Sequence, residues 1–136
     1  MGYGRFNKYG RAAIQAVEEI QNNPNMSPIH AWEKATLEIF GHSPSQKKGC
    51  PKGAFLGLCE EGLVKGIAKG KYSNSIKNKD YAIRIIEYLK HHSEHEFDRN
   101  KAWKYATRNN NITCNNQLDV VLALKNEGLL IGFANK

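Results

Sequence analysis

The chain is poor in cysteine, has no long apolar run and lacks the common catalytic signatures. Its three cysteines, Cys50, Cys59 and Cys114, are an odd number without a repeated short spacing. That argues against a disulfide framework and for a reducing compartment, so the expected address is cytoplasmic. The longest near-continuous apolar stretch lies at residues 120–124, far short of the roughly 20 residues a membrane helix needs, and no bilayer span is expected. Residues 1–6 lack the apolar run of a signal peptide, and Phe6 stands where a myristoylation signal needs Ser or Thr; neither export nor a lipid anchor is expected. There is no Walker loop, no GxGxxG, no GxSxG and no paired-carboxylate arrangement, which weakens an enzymatic reading and calls for no cofactor. Acidic residues are the minority sign, 13 against 20 basic, for a net charge of +7. Such a surface should attract polyanions such as nucleic acid, although the same charge also serves solubility.

What the sequence does have is self-similarity. With 136 residues and 40% hydrophobic content, it suffices for one ordinary domain or two very small ones. Gly62 aligned with Gly128 at an offset of 66 sets Phe55-Leu56-Gly57-Leu58 over Val121-Leu122-Ala123-Leu124, and Glu61-Gly62-Leu63-Val64 over Glu127-Gly128-Leu129-Leu130. Gly66, Ile67 and Ala68 then fall on Gly132, Phe133 and Ala134. The block from Ala13 to Ile20 matches that from Ala82 to Leu89 at an offset of 69, and Ala31-Trp32 with its downstream Ala35-Thr36 matches Ala102-Trp103 with Ala106-Thr107 at 71. Three blocks recur in one order, with indels confined to the connections. This reads as two tandem three-helix repeats, residues 1–72 and 73–136, packed as one compact domain with a pseudo-twofold axis.

Periodicity places the helices. Ala13, Ala16, Val17 and Ile20 give an amphipathic helix over about 8–22. Ser27 before Pro28 opens a second, anchored by Trp32 and ending near Gly41. The third begins at Cys50-Pro51, buries Ala54, Phe55, Leu58 and Cys59, and stops at Gly62, where only glycine takes the left-handed conformation freely. Residues 63–67 have room for a short strand. Helices over about 78–91 and 98–109, and one that starts after Asn115-Asn116 and is ended by Gly128, repeat the plan, with Thr113 or Asn115 as the expected N-cap of the last. The fold class is therefore all-α, with very short strands allowed after the third and sixth helices.

Three helices followed by Gly-Leu-Val and a basic tail look like a helix-turn-helix or winged-helix unit, with the third helix as reader. Lys47, Lys48 and Lys52 cluster at that helix's N-terminus, where free N–H groups and the dipole favour phosphate. Lys65, Lys69 and Lys71 extend the charge along the tail. Asn116 and Gln117, with Asn115, take the matching start in the second repeat and carry side chains able to pair with adenine edges. Against this, the loop before the third helix is long for that motif, and the second repeat has no room for a returning wing. Lysines also simply coat solvent-facing surfaces, and Asp119 is able to pair with Lys47 or Lys52 across the axis.

Cys50, at a helix start beside three lysines, should have a depressed thiol pKa and is the one candidate nucleophile. Its nearest base in sequence is His42, with no acid partner in view, so the competing reading is a small N-cap residue. Cys59 belongs to the core and Cys114 has no evident partner. His91, His92 and His95 with Glu94 and Glu96 are the only run of metal-ligand types; a solvated helix exit is favoured over a metal site, since no second ligand group matches.

The chain resembles a family of small bacterial and phage-type proteins whose function is unknown. The resemblance rests on residues 8–13, on Ala31-Trp32, on the polar and glycine-rich centre over residues 45–67, and on Asn115 through Leu124. It departs at Asn115, where the family more often has His, so any role of that side chain is missing here. The resemblance implies no activity, ligand or partner. The leading expectation is a non-catalytic, cytoplasmic nucleic-acid-binding protein of helix-turn-helix-like type, acting through Lys47, Lys48, Lys52, Lys65, Asn116 and Gln117, with DNA as partner. The alternatives are a helical module that engages a protein partner, and a Cys50-dependent enzyme.

Overall fold

The computed structural model describes residues 7–73, 75–93 and 95–133. The readings that touch residues 1–6, Asn74, Glu94 and Ala134 lie outside the described residues. Six helices follow one another: α1 Lys8–Asn22, α2 Pro28–Phe40, α3 Gly49–Glu60, α4 Ile76–His91, α5 Arg99–Thr107 and α6 Gln117–Asn126. The fold is all-α, and the strand expected after α3 is reduced to one antiparallel bridge between Val64 and Leu130.

Four helices begin with a side-chain cap. Asn7, Ser27, Ser75 and Asp98 each accept a bond from the backbone N–H three residues on, and Pro28 fills the first position of α2. The two closing helices differ. Lys48 and Asn116 occupy their N-cap positions without a capping bond. The last helix is therefore not capped by Thr113 or Asn115, and Cys50 sits inside α3 rather than at its cap. Both closing helices end alike. Gly62 and Gly128 adopt φ of 74° and 72°; the amide of Leu63 bonds the Leu58 carbonyl and that of Leu129 the Leu124 carbonyl, each 6→1 link accompanied by the inner glycine bond of a Schellman motif.

Packing crosses between the halves. α1 lies against α2 and α4 against α5, but α3 rests chiefly on α4, and α6 rests on α1 and on α3. Each closing helix is thus seated on the opening helix of the other half, and one core results, built on Trp32, Phe55, Leu58, Ile85, Leu118 and Leu124. Trp32 stacks on Phe55 at 5.2 Å between ring centroids, while Trp103 meets Tyr81 edge-on at 5.4 Å. In each half the Thr four residues after the Trp is buried and donates its hydroxyl to the Trp carbonyl, at 2.8 Å for Thr36 and 2.9 Å for Thr107.

The close seating of α3 on α4 depends on glycine. A Cβ at Gly57 would lie 2.6 Å from Lys79 Cβ and 2.9 Å from Lys79 Cα, and one at Gly53 would lie 2.8 Å from Asn78 Cβ. Beyond the helix ends the Val64–Leu130 bridge is reciprocal: the Lys65 amide donates to Leu129 O and the Ile131 amide to Leu63 O, both at 2.8 Å. Subtracting 66 from 131 and 129 returns 65 and 63, so the sequence offset and this bond pair share one exchange symmetry.

Candidate nucleic-acid interface

The crossed packing brings the first turns of α3 and α6 together. A disulfide joins Cys50, the second residue of α3, to Cys114 in the segment before α6, with Cα atoms 6.4 Å apart. This corrects two expectations. Cys50 is not a free nucleophile, and Cys114 is not without a partner; only Cys59 keeps its thiol, and it is buried. An odd cysteine count hid one pair plus one core residue, so the count no longer supports a reducing compartment.

Around the disulfide the lysines take different positions. The 41–48 connection folds as successive turns, fixed by the Tyr9 hydroxyl donating to Ser45 O at 2.9 Å and Gln46 Nε2 donating to Thr36 Oγ1 at 3.1 Å. That holds Lys47 and Lys48 at the mouth of α3, both exposed. Lys48 Nζ donates to Asn116 Oδ1 at 3.0 Å and stands 5.8 Å from the Tyr9 ring centroid. Lys52 pairs with Glu33 at 3.4 Å, an exposed contact of small energetic weight. Lys65 does not join them: it follows the far end of α3, a helix of 12 residues and about 18 Å, and its amide is spent in the bridge.

The α6 tip is built differently. Gln117 is 1% exposed and its Nε2 donates to Asn78 Oδ1 at 2.7 Å, while its Oε1 is buried with no partner. A side chain turned into the junction of α3, α4 and α6 cannot reach a base edge, so Gln117 leaves the set of contact residues. Asn116 Nδ2 donates to Asp119 Oδ2 at 2.9 Å. Asp119 does not pair with Lys47 or Lys52; Arg99 holds it with two parallel bonds, at 3.0 and 3.1 Å. The carboxylate sits in the first turn of α6 and answers the helix dipole there, whereas the first turn of α3 has no acidic residue. The α3 mouth is accordingly the more electropositive of the two.

A second polar cluster, unforeseen in the sequence, ties α3 to α4. The Glu60 carboxylate accepts the amides of Tyr72 and Ser73 at 2.8 and 2.9 Å and the Lys79 ammonium at 2.8 Å; Lys79 also reaches Glu61 at 2.6 Å. Lys79 first, then the two amides, hold the Glu60 carboxyl well below its ordinary range, at about 2. The same carboxylates raise Lys79.

Among the described residues no three His, Cys, Asp or Glu side chains converge on a possible metal position, and His92 instead stacks on Tyr88. Also among them, no helix is long and apolar enough to cross a membrane. A cleft of about 390 Å³ between α1 and α2, lined by Arg11, Ile14, Gln15, Glu18, Glu38 and Ile39, contains no nucleophilic side chain.

No curated protein and no solved structure matches this chain. A family model covers residues 6–131, all but the two ends, and by that match the chain belongs to a family of unknown function (DUF6979).

Proposed function

We propose that this is a non-catalytic nucleic-acid-binding protein, related in plan to helix-turn-helix proteins, that grips phosphate through the joined mouths of α3 and α6. The observation that supports the reading most is the pairing of two helix N-termini that lack side-chain caps, one of them preceded by Lys47 and Lys48 and followed by Lys52 in its first turn. Uncapped N–H groups and lysines both favour an anion. With Gln117 buried and Asn116 engaged by Lys48 and Asp119, contacts go to the backbone of the nucleic acid and sequence readout is slight.

The test is retention of duplex DNA on a filter across a salt series. With three lysines in contact, log affinity should fall against log salt with a slope of about −2 to −3. Lys47→Glu with Lys52→Glu should weaken binding at low salt and flatten that slope by about two; unchanged retention would refute the proposal. One observation favours a protein partner instead. Ile76, the first residue of α4, is 83% exposed next to Ser75 and Asn78, which face Gly53 of α3. Binding insensitive to salt and lost in Ile76→Ser would select that reading.

A further inference from the structure

Phosphate binding leaves the covalent bond between the two tips unused. Cys50 and Cys114 are both partly exposed, unlike the fully buried Cys59, whose thiol is pushed up by burial. Nor is the bond alone in holding the two helices together: Lys48 reaches Asn116 and Gln117 reaches Asn78 at the tips, and Val64 bridges Leu130 beyond the far ends. The core is continuous through all six helices, so this is not one of the small core-poor scaffolds that need a covalent staple. An accessible disulfide that the fold does not require is free to open and close.

We propose that Cys50–Cys114 is a reversible redox centre that exchanges with an anionic low-molecular-weight thiol. In the first step the incoming thiolate attacks Cys114 Sγ. A bond forms between the two sulfurs, the Cys50–Cys114 bond breaks, and its electron pair leaves on Cys50 Sγ, which takes a proton from solvent. A second thiolate then attacks the small-molecule sulfur of the mixed disulfide and releases Cys114 as a thiol. Two thiols are oxidised to one small disulfide while one protein disulfide becomes two thiols, and the reverse reaction re-forms it.

The leaving role falls to Cys50 by position. It is the second residue of a helix whose first turn has no acidic residue and no side-chain cap, and Lys47, Lys48 and Lys52 flank it. Free N–H groups and ammonium charges stabilise a departing thiolate there. Cys114 precedes α6 in an irregular segment and lacks those donors. The same lysines attract a thiol reagent that carries a negative charge and repel one that carries a positive charge.

The experiment uses the folded, oxidised full chain with thioglycolate (anionic) and cysteamine (cationic) at matched thiolate concentration. Thiols released are counted by alkylation and intact mass. The proposal expects thioglycolate to react several-fold faster at low ionic strength, with the advantage shrinking as salt rises. It expects two alkylations, at Cys50 and Cys114, with the helical circular dichroism retained. Lys47→Gln with Lys48→Gln should remove most of the thioglycolate advantage. Equal rates for the two reagents, alkylation that appears only with unfolding or includes Cys59, or three free thiols after mild oxidation would each overturn it. Cys50→Ser, treated with glutathione disulfide, should trap a mixed disulfide on Cys114, and failure to trap it counts against the assigned direction of attack.

Discussion

Two seams hold the halves together, α3 on α4 and α6 on α1, and matching positions in them are filled by different chemistry. The 66-residue offset sets Gly57 of α3 against Ala123 of α6, and the 69-residue offset sets Lys79 of α4 against Gly10 of α1. In the first seam the small residue is on the closing helix, and a long lysine lies over it and continues to Glu60 and Glu61. The counterpart of Glu60 is Asn126, which has no charge to offer. The α3–α4 seam is thus fastened by close backbone contact and an ion-pair cluster, while the matching positions on α6 and α1 are held by alanine and glycine. Steric and acid sensitivity should be concentrated in the first.

The largest expected effect comes from the core positions that the offset pairs. Phe55→Ala removes a ring that is fully buried and stacked on Trp32, and should cost about 3–5 kcal/mol in urea unfolding. Val121→Ala, its fully buried counterpart, removes less and should cost about 1.5–3 kcal/mol. Equal losses would mean that the two closing helices are not anchored as described.

Reduction of the disulfide comes next. It closes a loop with a sequence separation of 64 and should contribute about 2–4 kcal/mol, measured as the difference in unfolding free energy with and without reductant. The reduced protein should still unfold in one transition, since the two seams remain.

Gly57→Ala probes the tight seam directly. Overpacking against the Lys79 backbone costs about 1–3 kcal/mol, and better helix propensity returns about 1, leaving a net loss of about 0–2 kcal/mol. Ala123→Gly in the other seam should cost about 1–2 kcal/mol, from lost helix propensity and the loss of a fully buried methyl. A stabilised Gly57→Ala variant would show that the close approach of α3 to α4 is absent in solution.

The smallest effect is confined to acid. The folded-state pKa of Glu60, about 2, lies below its ordinary 4.5. Its contribution is thus fully present above pH 4.5 and is lost as pH falls towards 2. Glu60→Gln should flatten the decline in stability over that window, and Asn126→Asp should not create a matching one. The midpoint of urea unfolding against pH reads both.

Much of the fold was legible because it rests on local rules. Alanine and isoleucine spacing located α1 and α4, Ser27-Pro28 located the start of α2, and the two Glu-Gly-Leu phrases located the Schellman ends of α3 and α6. The site was less legible because it depends on which half each closing helix rests upon, and nothing local encodes that. Asn116 and Gln117 looked alike as polar residues at a helix start, yet one is turned to Lys48 and the other into the core. Arg99 and Glu60 carry no motif and owe their roles to tertiary neighbours. One signal was available for the disulfide. The 66-residue offset puts the counterpart of Cys50 at Asn116, two residues from Cys114, and helix starts placed side by side across an axis bring such positions together.

Whether the two closing helices meet at their leading ends is tested most directly by peptide mapping of the folded chain after mild oxidation, digested without reductant. The crossed packing predicts a linked pair of peptides carrying Cys50 and Cys114, with Cys59 alkylated only after denaturation. A chain in which Cys50 and Cys114 stay unlinked, or in which either is joined to Cys59, would contradict it.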